Sequence, residues 1–397
     1  MLPTLSLLFT ACDMPDLRNK TILVISPQSW GSMFVAKHHY AIELAKLGNK
    51  VYFLNPPENN KWTLAGRQDR IQISSLANEP NLFLIWHTLY FPYNLKFHAK
   101  KVFDFLMQKQ VKDILRLLDK KVDIVWSFDL GNLYPFANFR DAFKIFHPVD
   151  EPRNPEAIRA ATDADILLAV TNEIIEKYKG FSIPKYFINH GVSGYFFDQK
   201  ELSARDSVRV GLSGNLLRPD IDWNILLKII DENPNVIFEV WGNYDVQKGN
   251  LGGGLNGTVK QFIQTLQAAP NVILHGSVPS DRLPYELKGM DAFLICYDVQ
   301  KDQSKGTNYH KIMEYLSTGK VVISNNVTTY RNEPRLIQMV NEREHNQSLP
   351  VLFKNVINEL ETHNTPALQK YRVSFALENT YDKQIRRIES IINGEKG

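Results

Sequence analysis

Short apolar runs alternate with segments of helical spacing from the start of the chain. The run at residues 21–26 ends at Pro27, residues 35–47 have helical spacing and end at Gly48, and a second apolar run follows at residues 51–54. A run that is apolar throughout is typical of a strand buried on both faces of a parallel sheet. A strand, a helix and a second strand in this order predict a βαβ unit.

The same alternation continues in two blocks, which a polar stretch at residues 203–207 separates. In the first block, further apolar runs predict strands at residues 82–86, 124–127, 144–147, 166–170 and 185–188. In the second block, they predict strands at residues 208–213, 236–241, 271–275, 292–296 and 321–324, with helices at residues 223–231, 283–289 and 311–317. Each block therefore predicts an open α/β sheet, and two such sheets predict a site in the cleft where their carboxyl ends meet.

The expected organisation has four parts. A leader at residues 1–20 is expected to be disordered, and two Rossmann-like domains of doubly wound parallel sheet occupy residues 21–202 and 203–370. Residues 371–397 are expected to form a helix that packs back on the first domain. The chain of 397 residues is longer than one core usually supports, and its hydrophobic share of 44% supplies enough apolar material for two.

Composition argues against a nucleic-acid-binding protein and against an integral membrane protein. A net charge of +3 is too small to indicate a nucleic-acid partner, and no apolar stretch reaches the roughly 18 residues that span a bilayer. The two cysteines, Cys12 and Cys296, are far apart in the chain, and Cys296 lies in an apolar run. This usage is typical of a reduced, cytoplasmic protein.

The segment with the most chemical information is residues 306–324, GTNYHKIMEYLSTGKVVIS, which predicts a polar loop, a helix and a buried strand. A helix N-terminus presents unpaired N–H groups and partial positive charge, which suits a diphosphate. Thr307 and Asn308 could cap the helix and touch phosphate oxygens. Lys311 could add a charge, and Glu314 could accept the hydroxyls of a ribose. A solvated glutamate is the alternative, although the apolar residues around Glu314 leave little of that turn to solvent.

This segment resembles the donor-site helix of group 1, or GT4-like, glycosyltransferases, and it is especially similar to a bacterial branch that includes teichuronic-acid-type enzymes. Further segments resemble motifs of this family in the same order: residues 189–196 (NHGVSGYF), 210–216 (VGLSGNL), 238–242 (FEVWG), 272–279 (VILHGSVP) and 375–381 (FALENTY). Each motif is weak alone, but their common order is more specific. The resemblance implies the GT-B architecture, in which two Rossmann-like domains face a central cleft. It also implies transfer of a sugar from a nucleotide diphosphate sugar, a UDP-sugar before others, to a glycan or lipid-linked acceptor in bacterial surface polysaccharide synthesis.

The resemblance implies roles for individual residues on the donor side. Glu314 would bind the donor ribose as the second of the family's two paired acids, whereas Gly306 stands where the first acid is expected. That departure leaves the identity of the donor sugar open. Arg218 resembles the basic ligand of the diphosphate, and Ser277 and Val278 would hold the nucleobase edge. The full set of implied donor residues is Gly214, Asn215, Arg218, Trp241, Gly242, Ser277, Val278, Gly306, Thr307, Asn308, Lys311 and Glu314.

On the acceptor side, Gly31 and Ser32 lie where the family's glycine loop approaches the diphosphate and the acceptor. The acceptor hydroxyl also needs a base, and carboxylates at the ends of buried strands are suitable. Each of them has the alternative of capping its own loop. Of the neighbours His38 and His39, we expect one buried and one exposed side chain. The candidates for the base are Asp129, Asp150, Glu151 and His39.

Two D-x-D triplets, at residues 163–165 and 220–222, are of the kind that binds a metal ion in another glycosyltransferase fold. The first triplet precedes a predicted strand and the second begins a helix, so we expect no metal and no other cofactor. Arg218, Lys311 and helix N–H groups would instead meet the charge on the leaving diphosphate.

A lysine-rich helix is predicted within residues 96–121, after the aromatic residues Trp86, Tyr90, Phe91 and Tyr93. A basic helix beside aromatic residues can bind an anionic membrane surface, and a solvated helix face is the other interpretation. Two other functions also stay open. One is a sugar-nucleotide epimerase of the same architecture, and the other is a non-catalytic scaffold that binds nucleotides or carbohydrates.

Overall fold

The computed structural model describes residues 17–31, 33–58, 61–197, 207–245, 257–302 and 304–394. Most of the expected leader and residues 203–206 of the polar stretch lie outside the described residues, as do residues 248–256, Cys12 and Ser32. None of the helices in the described ranges is long and apolar enough to cross a membrane.

The first half of the chain forms an eight-stranded sheet. Its strands are β1 (Thr21–Ile25), β2 (Lys50–Leu54), β3 (Ile71–Leu76), β4 (Glu79–His87), β5 (Ile124–Ser127), β6 (Phe143–Phe146), β7 (Ile166–Ala169) and β8 (Lys185–Phe187). They lie in the order β3-β4-β2-β1-β5-β6-β7-β8. Neighbouring strands are parallel except β3 and β4, which pair antiparallel. The strand order reverses between β1 and β5.

The central strand β1 shows why the predicted strands are apolar on both faces. All five of its residues are buried. Leu23 and Ile25 belong to the core on one face of the sheet, and Ile22 and Val24 belong to the core on the other. The helices of this half are α1 (Ala36–Lys46), α2 (Arg67–Arg70), α3 (Leu95–His98), α4 (Lys100–Leu115), α5 (Pro155–Arg159) and α6 (Asn172–Lys177). α1 packs on one face and α4 on the other, so the sheet is covered on both sides.

The second half forms a six-stranded parallel sheet in the order β11-β10-β9-β12-β13-β14. Its strands are β9 (Arg209–Ser213), β10 (Ile237–Trp241), β11 (Val272–Gly276), β12 (Ala292–Ile295), β13 (Val321–Ser324) and β14 (Ile337–Met339). Its helices are α7 (Trp223–Glu232), α8 (Gly257–Ala268), α9 (Leu283–Leu287), α10 (Lys311–Ser317), α11 (Leu349–Asn358), α12 (Leu360–His363) and α13 (Pro366–Leu377), and α14 (Tyr381–Ile392) follows. Here the order reverses between β9 and β12. The expectation of two doubly wound α/β sheets is confirmed.

Two strands were absent from the sequence-based expectation. β3 lies at the edge of its sheet, and most of its side chains are exposed or half-buried, so it lacks the continuous apolar run that marks the interior strands. β14 has only three residues and is the edge of the second sheet. Edge strands need less burial than central strands, and the apolar pattern therefore detects them poorly.

The closing segment consists of two helices rather than one. α13 packs against α10 of the second sheet, whereas α14 packs against α1 of the first. Ile385, Ile388 and Ile392 of α14 join the same core as α1. The Thr380 side chain accepts a hydrogen bond from the Lys383 N–H and caps α14, which sets the break between the two helices.

Candidate functional site

The two halves meet at the carboxyl ends of their strands. The side-chain amide of Asn308, in the loop before α10, donates to the Val170 carbonyl at 3.1 Å and to Asn189 Oδ1 at 2.8 Å. At a second point, the Phe34 N–H, just before α1, donates to Ser280 Oγ at 2.9 Å. The loop before α10 and the residue before α1 therefore each contact the opposite half of the chain.

Two glycines let the loops after β9 and β10 approach one another. Gly214 and Gly242 have φ of 146° and 143°, which other residues rarely adopt. A Cβ on Gly242 would lie 1.6 Å from the Gly214 carbonyl oxygen. The Gly214 N–H donates to the Trp241 carbonyl at 2.8 Å, which ties the two loops together. A Cβ on Gly214 would in turn lie 2.6 Å from the Lys311 Nζ, so this backbone reaches the first turn of α10.

Lys311 is buried and holds α10 against the end of β9. Its ammonium donates to the Ser213 carbonyl and to the Tyr297 hydroxyl, the latter at 2.6 Å. One turn later, the Tyr315 hydroxyl accepts the Ser213 N–H at 2.7 Å. Lys311 is therefore a structural anchor of the loop as well as a charge beside it.

Arg218 is engaged with two carboxylates. Its guanidinium donates to both oxygens of Asp220, with Nε at 2.8 Å from Oδ1, and lies 3.4 Å from Asp302 Oδ1. The side chain is 39% exposed, so a ligand can still reach it. Because Asp220 pairs with Arg218 and Asp222 caps α7 through the Ile225 N–H, both acids of the second D-x-D triplet have protein partners. Within the described ranges, no group of three His, Cys, Asp or Glu residues is arranged to hold a metal ion.

Glu314 is half-buried on the first turns of α10. Burial raises its pKa to about 7, and the charge of Lys311 offsets only part of that effect. No described residue donates a hydrogen bond to its carboxylate. The Glu314 charge contributes to the raised pKa of Tyr381, which burial mainly causes, so the carboxylate lies within electrostatic reach of α14. This placement leaves the Glu314 carboxylate available to hydroxyl donors of a ligand.

Gly306 has a conformation that explains the missing first acid. Its φ is +63°, and a Cβ there would lie 2.7 Å from the Asn326 carbonyl oxygen. A glutamate at this position would be strained. The Gly306 N–H instead donates to Asp302 Oδ2 at 3.0 Å, and the Tyr309 hydroxyl donates to the same oxygen at 2.8 Å. Asp302, which the sequence did not single out, therefore organises this loop.

The remaining predicted donor residues differ in whether their side chains already have partners within the protein. The Thr307 hydroxyl donates to the Ser304 carbonyl at 2.7 Å, and Asn308 bridges the two halves, so both side chains serve the loop. The Trp241 side chain is buried and stacks on the His275 ring at 4.8 Å, away from solvent. Ser277 is exposed and Val278 half-buried after β11, and Asn215 accepts the Leu217 N–H at 3.0 Å within the glycine loop. The side chains of Thr307, Asn308, Trp241 and Asn215 therefore have contacts within the protein, whereas that of Ser277 is exposed.

The structure separates the two neighbouring histidines. His38 is fully buried; its Nδ1 accepts the Val35 N–H at 3.1 Å and its Nε2 donates to the Ser29 carbonyl at 3.2 Å. Burial lowers the pKa of His38 to about 4. His39 is half-buried and stacks on the Tyr381 ring at 4.8 Å, and burial lowers its pKa to about 3. Both rings are therefore neutral near pH 7. Gly31, in the loop before α1, is half-buried.

The three candidate carboxylates lie in different surroundings. Asp129 accepts the Gly131 N–H at 2.8 Å and the Leu133 N–H at 2.7 Å, which is a loop-capping arrangement. Glu151 is buried, with Oε1 3.7 Å from the Lys177 Nζ. Asp150 is exposed, and its carboxylate forms no hydrogen bond or close ion pair with the described residues.

Sequence reasoning did not predict that a lysine and three histidines from separate segments meet at the cleft. A single lysine in the first turn of α1 and histidines from separate loops meet here, although they are far apart in the sequence. Nothing in the apolar pattern marks them, since a lysine in an amphipathic helix is normally solvated. The group comprises Lys37, His147, His190 and His310.

The solved structures to which this chain is similar share its two-sheet architecture. Sucrose-phosphate synthase from Thermosynechococcus elongatus matches with a TM-score of 0.68 and 11% identity, over 94% of this chain and 98% of that chain. HepE from Anabaena in complex with UDP and glucose matches with a TM-score of 0.63 and 13% identity, over 94% and 99%. A glycosyltransferase from Rickettsia africae matches with a TM-score of 0.59 and 16% identity, over 95% and 100%.

This chain has the GT-B fold. At these identities the likeness shows the fold alone. No family model matches the chain, and no curated protein matches it. The function therefore has to be argued from the residues of the GT-B cleft.

Proposed function

We propose that this GT-B protein is a glycosyltransferase that moves a sugar from a UDP-sugar to a glycan or lipid-linked acceptor, as in bacterial surface polysaccharide synthesis. It would belong to the group 1 branch that its motifs resemble. The observation that carries the proposal is Glu314, whose carboxylate has no donor among the described residues and lies on the helix that faces the cleft. HepE is similar in fold and is in complex with UDP and glucose, which supports UDP as the first nucleotide to test.

In this proposal each loop has a task at the donor. Glu314 accepts hydrogen bonds from the ribose hydroxyls, and the tied loops at Gly214 and Gly242 let the diphosphate approach the backbone beside Lys311. Arg218 shares its guanidinium between Asp220 and the ligand, because it remains partly exposed. The loop after β11, with Ser277 and Val278, holds the nucleobase edge through its backbone.

Asp150 is the carboxylate we propose as the base for the acceptor hydroxyl. The three other candidates already have contacts within the protein. Asp129 caps a loop, Glu151 is buried beside Lys177, and the neutral His39 ring stacks on Tyr381. Asp150 is exposed at the loop that follows β6. A carboxylate there can take a proton from a hydroxyl at the carboxyl edge of the first sheet.

We also propose that the protein meets the diphosphate charge without a metal ion. Arg218 and Lys311 lie beside the glycine loop, and the acids of the second D-x-D triplet already have protein partners. Fixed cations near the leaving group stabilise charge as it develops. Transfer that persists in the presence of EDTA would support this, and transfer that needs an added divalent ion would contradict it.

The N-terminal half offers a surface for the membrane that would carry a lipid-linked acceptor. Val102 and Phe105 of α4 are 51% and 55% exposed, and Lys109 and Lys112 follow at helical spacing on the same face. The opposite face of α4, which includes Phe103 and Met107, packs into the core. We propose that the exposed face of α4 rests on anionic lipid, where apolar side chains insert and lysines attract phosphate groups.

A panel of sugar nucleotides tests the proposed function. Melting temperature is measured with UDP-, GDP-, dTDP-, ADP- and CMP-sugars, because a ligand that binds the folded state raises it. We expect UDP-sugars to give the largest shift, and Glu314→Ala to remove it. Release of UDP that requires an acceptor supports a transferase. Conversion of the sugar nucleotide without an acceptor would instead indicate an epimerase, and binding without either reaction would indicate a scaffold.

A further inference from the structure

Lys37 occupies an unusual place for a lysine. It lies in the first turn of α1, and it is only 2% exposed. Tyr40, three residues later on the same face of the helix, packs with its ring 5.2 Å from Trp126 and 5.3 Å from His147. Since Trp126 and His147 lie at the carboxyl ends of β5 and β6, the Lys37 side chain extends toward the same edge of the sheet.

The Lys37 ammonium lacks a close counter-ion in the part of the chain that the structure describes. It forms no hydrogen bond there and no ion pair within 4 Å, and the carboxylate whose charge acts on it is Asp150. Burial lowers the pKa of Lys37, and the Asp150 charge opposes this in part. A buried ammonium without a close partner destabilises the folded state, so an anion that supplied one would gain binding free energy.

The two histidines nearest in effect to the Lys37 ammonium, His147 and His190, each have a ring nitrogen without a described hydrogen-bond partner. The Trp126 indole N–H donates to His147 Nδ1 at 3.3 Å, so the proton of this neutral ring is on Nε2, which is buried without a described acceptor. The Nδ1 of buried His190 also lacks a described partner. The His190 and His310 rings lie 6.2 Å apart. An anion beside Lys37 could therefore also accept from neutral imidazole N–H groups.

His310 connects Lys37 to the donor residues on the other side of the cleft. His310 itself is exposed, but the surrounding protein atoms lower its pKa well below the usual value, and the positive charges of Lys311, Arg218 and Lys37 lower it further. The three cations are thus within electrostatic reach of one ring, with Lys37 contributed by the first half of the chain and the other two by the second. Arg218 and Lys311 already have protein partners, whereas Lys37 has none at short range within the described ranges.

We propose that Lys37 binds a phosphate or diphosphate group of a substrate from the first domain's side of the cleft, opposite Arg218 and Lys311. The inference rests on the proposed function in so far as that group belongs to the sugar nucleotide. A lipid diphosphate acceptor carries the same chemistry. In either case the ion pair forms across the two halves, so binding of the anion favours their approach.

Calorimetric titration with uridine, UDP and inorganic pyrophosphate tests the inference. The variants are Lys37→Met and, as a matched control on the same helix, Lys46→Met, because Lys46 is exposed and already paired with Glu43. We expect Lys37→Met to weaken UDP and pyrophosphate binding about 10- to 100-fold, the usual worth of a charge-assisted hydrogen bond, and to leave uridine binding unchanged. Lys37→Arg should recover part of the loss, and Lys46→Met should match the wild type.

The pattern of results identifies the source of the anion. If Lys37→Met binds UDP normally but no longer binds pyrophosphate in the presence of saturating UDP, Lys37 serves the acceptor's phosphate. If UDP and pyrophosphate both bind as in the wild type, the inference is overturned. A wild type that binds pyrophosphate through Lys37 but no nucleotide would contradict the proposed function and leave the inference standing.

Thermal unfolding separates a binding role from a structural one. Without ligand, Lys37→Met should melt at a higher temperature than the wild type, since the substitution removes a buried charge that lacks a close partner. A lysine that holds the fold together would give the opposite result. A lower melting temperature for Lys37→Met, with anion affinity retained, would therefore refute the proposal.

Discussion

Replacement of Glu314 by glutamine tests both the electrostatics of the cleft and the proposed nucleotide site. The substitution keeps the size of the side chain and removes its charge. Glu314 has a pKa of about 7 in the folded protein, compared with the ordinary value of 4.5, because burial disfavours its charged form. The Glu314 charge therefore lowers the free energy of unfolding. This loss is absent below pH 4.5, grows between pH 4.5 and 7 and is complete above pH 7.

The size of that cost follows from the shift. Each pKa unit corresponds to about 1.4 kcal/mol, so a shift from 4.5 to about 7 corresponds to roughly 3 kcal/mol. Glutamine has no charge to bury. Relative to the wild type, Glu314→Gln should therefore gain up to about 3 kcal/mol of unfolding free energy between pH 4.5 and pH 8. Urea unfolding at both pH values measures this difference, and comparison with the wild type cancels the other titrating groups.

Nucleotide binding should change in the opposite direction. Ribose hydroxyls donate to a carboxylate, and a hydrogen bond to a charged group contributes roughly 1.5–3 kcal/mol. UDP should therefore bind Glu314→Gln about 10- to 100-fold more weakly at pH 8. In the wild type, affinity should fall as pH drops below 7, where the carboxyl is protonated, and binding at pH 7 should release a fraction of a proton. The variant should lose both effects.

Two results would refute this reasoning. A stability difference between variant and wild type that stays the same from pH 4.5 to pH 8 would mean that the Glu314 charge is not buried. UDP affinity that is equal in both proteins at pH 8 would mean that the carboxylate does not touch the nucleotide. Glu361→Gln is the control, because Glu361 is exposed on α12 and should change neither measurement.

Three further predictions concern backbone, acid stability and lipid. Gly242→Ala should lose about 3 kcal/mol or more of unfolding free energy by urea titration, because its Cβ would lie 1.6 Å from the Gly214 oxygen, whereas Gly180→Ala, with open space around it, should lose little. The urea midpoint should fall as pH drops below about 6.5, because burial lowers the pKa of His147 and His190 to about 3, and unfolding lets them take up protons; an unchanged midpoint from pH 7 to pH 4.5 would contradict this. The protein should sediment with phosphatidylserine vesicles and less with phosphatidylcholine vesicles, and Phe105→Ser should weaken that binding while Tyr285→Ser, in the second half, should not.

The sequence predicts the interior of this fold well, because burial on both faces leaves a continuous apolar run in each central strand. β1 and β13 are examples in which every residue is buried. The edge strands β3 and β14 have no such continuous apolar run in the sequence. Glu314 was found because a motif accompanies it, whereas the restriction at Gly306 depends on the Asn326 carbonyl nearby and could not be predicted from the residue alone.

Lys37 is a second residue whose environment at the site could not be predicted from the sequence. In the sequence it is an ordinary lysine near the start of a helix, next to His38 and His39. Its burial arises from tertiary packing, since the same face of α1 packs through Tyr40 against Trp126 and His147 at the end of the first sheet. Side chains from residues 37, 147, 190 and 310 meet only once both sheets have formed. Period and spacing describe local structure, and they contain no information about this convergence.

Four groups in the described part of the chain make the folded state less stable. Lys37 is buried without a close counter-ion among the described residues, Glu314 bears a charge that burial opposes, and Nε2 of His147 and Nδ1 of His190 have no described partner. His147 and His190 follow β6 and β8 of the first sheet, Lys37 lies in the first turn of α1, and Glu314 lies on α10 of the other half. A protein core normally satisfies such groups, and unsatisfied groups of both signs in one cleft are what a ligand with hydroxyls and phosphates would satisfy. Binding of that ligand should therefore stabilise the fold more than its contact area alone predicts, because it also removes costs that the free protein already bears.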